Sequence, residues 1–357
     1  MNIMLVFPGK VWGGAEQYVL DLGHALEQQG NSVKYICRDS RAVTSRLDGR
    51  VDFNVVKMNG LLDRKSARTL SALLKGIEVV HVHEASHVRT VMEAAEMAGE
   101  KPRIVLTRHI ARPSRTMPWN RSALKKLHRM IFVSDLARNL WYGANSWMPA
   151  EKCVTIHNSI PPYTETQSEN LRRRYGIEAS TPLIMFTGRV RKSKGCGVLV
   201  EALGQLKELR WMMLFVGTCK PADYDKELLL DAREAGIADR IGFYGFSDNV
   251  RALLRQADIG VAPSIVREAC PLSPMEFMQA SKCIIATNNG AQPEYITDGI
   301  TGLLVKPGSA DELAAALRTV LAAPNQRDAL GKSAGEYFEK HLNYADFVKS
   351  IIKAYNW

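Results

Sequence analysis

The sequence predicts an α/β protein of two domains, each built on a doubly wound parallel sheet with helices on both faces. Three observations support this prediction. The 357 residues exceed what one hydrophobic core usually organises. Short apolar runs alternate with helical segments, as they do in βαβ units. The alternation occurs twice, on either side of a segment rich in proline, serine and threonine at 159–170, which is typical of a domain linker.

The first domain is predicted over residues 1–160. MNIMLVF has no basic leader before its apolar run, so it is expected to be a first strand and not a secretory signal. The next segment, AEQYVLDLGHALEQQG, has Tyr18, Leu22 and Leu26 at helical spacing, and Gly30 ends the helix. SVKYIC is the second strand, and further strands are predicted at 53–56, 79–83, 103–106, 130–133 and 154–156.

The second domain is predicted over residues 161–340 and repeats the pattern. PLIMFTG is a strand, VLVEALGQLKEL a helix and WMMLFVG the next strand, and RIGFYG, IGVAPS and KCIIAT follow as strands. Residues 341–357 are predicted to be a separate helix whose apolar face, with Phe347, Ile351 and Tyr355, is expected to pack back on the first domain. In such sheets ligands bind at the carboxyl ends of the strands, and two sheets are expected to face each other across a cleft.

Composition excludes several classes of protein. No apolar run approaches the ~20 residues that span a bilayer. The six cysteines are scattered without CxxC pairs, which argues against a zinc site or a disulfide framework and fits a reducing cytoplasm. A cytoplasmic enzyme, peripheral at the inner face of the plasma membrane in one interpretation, is therefore expected.

The net charge of +10 is concentrated in residues 101–129, which contain nine Lys/Arg and no Asp/Glu. One interpretation is a solvated basic surface. The other is a landing site for an anionic acceptor or an acidic membrane surface. Nucleic acid is not expected as a partner, because no aromatic stacking platform or known reading motif accompanies the charge.

Two glycine-containing loops follow predicted strands. Gly13 and Gly14 precede the first helix, where a tight turn and a ligand contact are both open interpretations. TGRVRKSKG follows a strand of the second domain and suits a diphosphate, because arginine binds phosphate through two hydrogen bonds and lysine adds a point charge. Its cations are Arg189, Arg191, Lys192 and Lys194, between Gly188 and Gly195.

Histidines and paired acids complete the candidate residues. His81, His83 and His109 all fall near strand ends of the first domain, with no spacing that supports a metal. In SIVREACPLSPME, Glu268 and Glu276 lie eight positions apart. This stretch is either a catalytic loop that enters a helix or a loop that happens to carry two acids.

These motifs occur in a familiar order. The set WGGAE, HVHEA, TRH, FVSDLAR, HNSI, TGRVRKSKG, FYGFSDNV, APSIVREACPLSPME and GAQPEYITDGITGLLVKPG resembles the retaining glycosyltransferases of family four, which have the GT-B fold. The resemblance covers nearly the full length, and the two glutamates at this spacing are its most specific part. It implies a donor-binding second domain and an acceptor-binding first domain.

The resemblance also implies residue roles in the second domain. Arg189 and Lys194 would bind the donor diphosphate, Glu268 the transferred sugar and Glu276 the ribose hydroxyls. The remaining donor-side positions implied are Gly188 in the cationic loop, Gly245 and Phe246 near the base, and Cys270, Leu272 and Ser273 along the sugar and phosphate.

In the first domain, the resemblance implies that His109 lies close to the transferred sugar and the reaction centre. It places phosphate or acceptor contacts at Gly13, Gly14, Glu16, Ser134 and Asn158, the last two having an equally simple interpretation as cap and loop residues.

The activity implied is retaining transfer of a hexose from a nucleoside-diphosphate sugar to a glycan or lipid-linked acceptor, in lipopolysaccharide, capsule or other surface polysaccharide synthesis. Neither a metal nor another cofactor is implied. A nucleotide-sugar epimerase of the same architecture and an inactive sugar-nucleotide-binding protein are the alternatives.

Three departures from the family pattern bear on the donor sugar. ACPLSP replaces the usual glycine-rich tract after the first glutamate, and Pro271 and Pro274 each remove a backbone donor. Ser281 replaces a common glycine, and TCK at 218–220 replaces a common GDG-like turn.

Overall fold

The computed structural model describes residues 1–7, 9–59, 63–163 and 169–356. The chain packs as two compact units, Met1–Ile160 with Tyr344–Trp357, and Pro161–Asn343. Of the predicted linker, residues 164–168 lie outside the described part. Among the described helices, none is long and apolar enough to cross a bilayer.

The first unit is built on seven parallel strands in the order β3-β2-β1-β4-β5-β6-β7. Its strands are β1 (Asn2–Phe7), β2 (Ser32–Arg38), β3 (Phe53–Val56), β4 (Val79–Val82), β5 (Arg103–Arg108), β6 (Arg129–Phe132) and β7 (Cys153–Thr155). Its helices are α1 (Gly14–Gln28), α2 (Arg41–Leu47), α3 (Arg64–Ser71), α4 (Val88–Ala98), α5 (Pro118–Lys125) and α6 (Asp135–Gly143). The central strands are buried almost throughout, as a sheet with both faces covered requires.

The second unit has six parallel strands in the order β10-β9-β8-β11-β12-β13. Its strands are β8 (Leu183–Thr187), β9 (Met212–Val216), β10 (Ile241–Gly245), β11 (Ile259–Ala262), β12 (Cys283–Thr287) and β13 (Leu303–Val305). Its helices are α7 (Leu171–Arg174), α8 (Cys196–Gly204), α9 (Tyr224–Glu234), α10 (Val250–Leu254), α11 (Leu272–Gln279), α12 (Ala310–Ala322) and α13 (Pro324–His341). The prediction of two doubly wound parallel sheets is therefore confirmed.

The last helix, α14 (Tyr344–Asn356), belongs to the core of the first unit. Phe347, Ile351 and Tyr355 are buried together with Tyr18 and Leu22 of α1. These residues recur at helical spacing on both helices, so each helix buries one apolar stripe against the other.

Strand order fixes where the loops of each unit converge. The order reverses between β1 and β4 in the first unit and between β8 and β11 in the second. At such a reversal the loops on either side diverge and leave a crevice at the carboxyl ends of the two strands. The loops predicted to bind ligand follow β1 and β4 in one unit and β8 and β11 in the other.

The cationic loop after β8 touches the loop after β11 closely at Gly195. Gly195 has φ +74°, and a Cβ added there would overlap the carbonyl oxygen of Pro263. Any side chain would therefore push the two loops apart.

We expect Gly195→Ala to lower the free energy of unfolding of the second unit by more than Gly236→Ala. Gly236 has a similar φ of +71° but nothing within 4 Å of its added Cβ, so its variant pays only the left-handed backbone cost, about 1–2 kcal/mol. Overpacking adds roughly 1–3 kcal/mol at Gly195. The stability of both variants is measured by urea unfolding, with hydrogen exchange of the β8 and β11 amides as the readout. Equal losses of stability in the two variants would contradict the close approach at Gly195.

Candidate functional site

An ion pair joins the two loops at the strand reversal of the second unit. Lys194 Nζ donates to Glu268 Oε1 at 2.6 Å, and Ser264 Oγ donates to the same oxygen at 2.7 Å. The two charged side chains are only 21% and 18% exposed. Both protein hydrogen bonds on the carboxylate therefore go to one oxygen, and Oε2 has no partner in the described part of the chain.

Backbone contacts fix the loop that carries Glu268. The amides of Ile265 and Val266 donate to the carbonyl of Ser193 at 3.1 and 3.3 Å. The amide of Ala291 donates to the Glu268 carbonyl at 3.0 Å, and a Cβ added at Gly290 would lie 2.7 Å from that same oxygen. The carboxylate position is thus set from both sides of its backbone.

Ser273 was predicted as a donor-side residue, but the other hydroxyl groups around this pair were not. Thr287 at the end of β12 donates to the Ser264 carbonyl at 2.9 Å. Thr187 at the end of β8 shares a 2.5 Å hydrogen bond with Ser273 in the first turn of α11. The available signal was that each hydroxyl residue lies at or just beyond a strand end.

The N-terminus of α11 lies beside the same loop. Pro271 is its N-cap and Leu272 its first residue, while Cys270 is buried just before it. The first-turn amides of a helix lack intrahelical acceptors and favour anions. Pro274 removes one of these donors, so the amides of Leu272 and Ser273 remain, as the sequence departures suggested.

Arg189 follows Gly188, a glycine with φ +134° directly after β8. The guanidinium is half-buried, and it makes no hydrogen bond or ion pair with the described residues. A half-buried cation without a protein counter-ion is suited to an anionic ligand.

The second glutamate, Glu276, lies in the middle of α11 and faces a cation that was not predicted. Arg251 Nε is 3.7 Å from Glu276 Oε1, and the side chains are 18% and 11% exposed. Arg251 directly follows the FYGFSDNV motif, which was the available signal. In that motif Gly245 has φ +83° and ends β10, and Phe246 is 43% exposed.

Three histidines cluster at the carboxyl ends of β4 and β5 in the first unit. His83 Nδ1 lies 3.1 Å from His109 Nε2, with the rings stacked. His81 hydrogen-bonds the hydroxyls of Tyr355 and Thr107, each at 2.7 Å. His81 therefore links this histidine cluster to α14.

The histidines of this cluster are neutral at physiological pH. Burial lowers the pKa of His109 to about 4. Burial and the neighbouring His109 lower the pKa of His81 to about 3. Burial and the two neighbouring rings hold the pKa of His83 well below its ordinary value. His109 therefore offers a hydrogen bond and not a positive charge.

The side chain of Glu16 packs against the loop between β1 and α1. Gly13 is the N-cap of α1 and Gly14 its first residue. The Glu16 carboxylate lies over this loop, so close that a Cβ added at Gly9 would overlap it. Ser134 caps α6 by accepting from the Ala137 amide at 3.2 Å, and Asn158 is buried after β7.

The basic segment 101–129 presents fewer exposed cations than its composition suggests. Arg108 and Arg129 are buried and Arg103 is half-buried, because these three lie at the ends of β5 and β6. The exposed members are Lys101, Arg112, Arg115, Arg121, Lys125 and Lys126.

Family models match both halves of the chain. The model described as Glycosyltransferase Family 4 matches residues 12–163, and the one described as Glycosyl transferases group 1 matches residues 167–337. This chain belongs to these glycosyltransferase families. The predicted recognition is confirmed, and the epimerase and inactive-protein alternatives are not favoured.

Two relatives of this chain are named as lipopolysaccharide enzymes. The chain is 30% identical over 224 residues to the lipopolysaccharide 1,2-N-acetylglucosaminetransferase of Salmonella typhimurium, covering 59% of this chain and 58% of that one. It is 27% identical to the lipopolysaccharide core biosynthesis mannosyltransferase LpsB of Rhizobium meliloti, covering 64% of each. The chain thus spans less than two thirds of these relatives.

Solved structures show the same fold over the full length. A glycosyltransferase from Rickettsia africae superposes with a TM-score of 0.86 at 20% identity, over 99% of this chain and 97% of that one. Anabaena HepE, crystallised with UDP and glucose, gives 0.85 at 19% identity over 99% and 98%. The predicted GT-B fold class is confirmed.

We expect the first unit to lose stability as pH falls from about 6.5 towards 4. The folded-state pKa values of His81 and His109 lie below the unfolded value of about 6.5, so the unfolded chain binds more protons in that window. Stability is therefore fully present above pH 6.5 and is lost as pH falls through the folded pKa values.

The measurement is urea unfolding at several pH values, with hydrogen exchange of the β4 and β5 amides as the readout for the first unit. His109→Asn should flatten the pH dependence, whereas the exposed His341→Asn should leave it unchanged. An unchanged slope in the His109 variant would contradict the buried neutral cluster.

Proposed function

We propose that this protein transfers a hexose, with retention of anomeric configuration, from a nucleoside-diphosphate sugar to a glycan or lipid-linked acceptor. The observation that carries the proposal is the Lys194–Glu268–Ser264 contact, together with Arg189 of the same loop as Lys194, which has no ion-pair partner among the described residues. It combines anion-binding cations with a carboxylate oxygen that is free to accept from a sugar.

The donor diphosphate would bind Arg189, Lys194 and the first-turn amides of α11. These groups meet at the carboxyl ends of β8 and β11, where loop residues of such a sheet contact ligands. Negative charge grows on the departing diphosphate during transfer, and fixed cations stabilise it without reorganising. This arrangement supports transfer without a metal or other cofactor.

Glu268 would orient the transferred sugar. Its Oε1 already accepts from Lys194 and Ser264, so Oε2 is the oxygen that a sugar hydroxyl would reach. When the sugar binds, Lys194 would lie between the carboxylate and the diphosphate, which places both donor-binding elements on one rigid contact.

Glu276 would accept from the ribose hydroxyls, with Arg251 fixing the carboxylate. Gly245 ends β10, and the exposed Phe246 directly follows it. Both would lie near the base. Cys270 and Gly188 would complete the walls of the sugar and phosphate positions.

The first unit would bind the acceptor. Neutral His109 would donate or accept a hydrogen bond at the transferred sugar, with its ring fixed by His83 and Tyr18. Gly13, Gly14 and Glu16 would contact the phosphate or acceptor, and Ser134 and Asn158 would support this surface.

The acceptor class is proposed to be a cell-surface glycan, because the named relatives are lipopolysaccharide enzymes.

The exposed cations of residues 101–129 would bring the protein to an anionic membrane surface, where each contributes about 1 kcal/mol of binding free energy. HepE binds UDP and glucose, so uridine donors come first in a donor screen.

We expect Lys194→Ala to lower kcat/KM for the best donor by roughly 10²–10³, because it removes a cation aimed at the developing charge. Lys192→Ala is the matched control. Lys192 is in the same loop but is 70% exposed and pairs with Glu227 at 2.7 Å, so its variant should stay within about twofold.

The assay is release of nucleoside diphosphate from a panel of nucleotide sugars, with and without a truncated lipopolysaccharide acceptor. Folding of each variant is checked by its urea midpoint. Unimpaired turnover by Lys194→Ala would overturn the assignment of the diphosphate site.

We expect an α-linked product from an α-linked donor, and full activity after dialysis against a chelator. NMR of the product's anomeric proton decides the first point, and turnover with and without added Mg²⁺ decides the second. An inverted product, or activity that needs a divalent cation, would exclude the proposed mechanism.

A further inference from the structure

A cavity of about 400 Å³ opens in the first unit on the edge of the sheet opposite the histidine cluster. It is lined by side chains that lie at the amino ends of three neighbouring strands. Arg103 begins β5, His128 precedes β6, and Lys152 precedes β7. His109 follows the carboxyl end of β5, so the whole strand separates the two positions.

The lining of this cavity is positively charged. Arg103, Lys126 and Lys152 oppose one carboxylate, Glu151. Lys152 Nζ donates to the carbonyls of Lys125 and Leu127, both at 2.8 Å, which fixes the ammonium group and leaves its third N–H. Lys126 Nζ is 3.8 Å from Glu96 Oε1, and both side chains are mostly exposed, so this ion pair holds Lys126 only weakly.

His128 is the residue whose environment is incomplete. Its Nε2 is enclosed and has no hydrogen-bond partner in the described part of the chain. Burial, together with Arg103, Arg129 and Lys152, lowers the pKa of His128. The positive field that lowers the pKa is the field that would attract an anion into the cavity that His128 lines.

We propose that this cavity is a binding site for a phosphate group, separate from the donor site of the second unit. Arginine and lysine at strand ends can contact several phosphate oxygens at once, and the His128 ring, which lines the cavity, would lie beside the bound charge. The phosphate belongs either to an anionic lipid headgroup or to a soluble phosphate compound. In both cases the site would anchor the protein or its ligand away from the reaction.

The test follows the ring resonances of His128 by NMR in the full-length chain with labelled histidine, assigned with His128→Gln. Inorganic pyrophosphate, and vesicles of phosphatidylglycerol in phosphatidylcholine, are the two probes. We expect saturable shifts of His128 with at least one of them. Inorganic sulfate, whose charge is constant near neutral pH, should raise the pKa of His128 and bind more tightly as pH falls, because proton and anion binding are reciprocal.

Variants separate this site from other cations. Lys126→Ala should weaken the response of His128 about tenfold, as the loss of one charge-assisted contact predicts. With pyrophosphate as the probe, Arg115→Ala, which removes an exposed cation of the same basic segment outside the cavity, should change the response less than twofold. Lys194→Ala should leave it unchanged, so the result does not depend on the proposed transferase site.

A response to pyrophosphate alone identifies a soluble phosphate, and a response to phosphatidylglycerol vesicles alone identifies a lipid headgroup. No response to either probe at millimolar concentration overturns the proposal. Equal affinity in wild type and Lys126→Ala overturns it as well.

Discussion

The contact between Lys194 and Glu268 is the interaction on which the candidate site depends. Strand order brings the loops after β8 and β11 together, and Gly195 allows their backbones to approach. The ion pair then occupies the space between the loops, in a setting where each charge is largely withdrawn from water. Loss of either partner leaves the other half-buried and uncompensated, so the pair is useful mainly because it fixes geometry.

The first unit reaches a rigid site by a different route. Its candidate residues His83 and His109 are neutral imidazole rings stacked on each other, and Tyr18 packs edge to face against both. Packing of this kind fixes ring orientation without charge. The candidate residues of the two units therefore differ in character, with cations in the second unit and neutral hydrogen-bonding rings in the first.

Much of the fold was predictable because parallel strands buried on both faces are continuous apolar runs in the sequence. The strand β13 was missed, since Leu303–Val305 is three residues long and follows a glycine-containing turn. The helix predicted over VLVEALGQLKEL ends earlier, at Gly204, because Leu206 and Leu209 reach the core from turns.

The candidate site was predictable where a motif carries its own chemistry, as in the cationic loop and the pair of glutamates. Partners distant in sequence were not, because no local pattern shows that Arg251 faces Glu276 or that Thr287 supports Ser264. The number of cations in residues 101–129 also overestimates how many of them are exposed. Arg108 and Arg129 belong to a basic segment, yet strand geometry buries them.

The packing of α14 has a consequence for how the protein is made. During synthesis the first sheet emerges early, but the helix that completes its core is translated only after the whole second unit. Until then Tyr18 and Leu22 lack the part of their apolar cover that α14 supplies, and His81 lacks its hydrogen bond to Tyr355. The core of the nascent first unit is therefore incomplete for as long as the entire second unit takes to be translated.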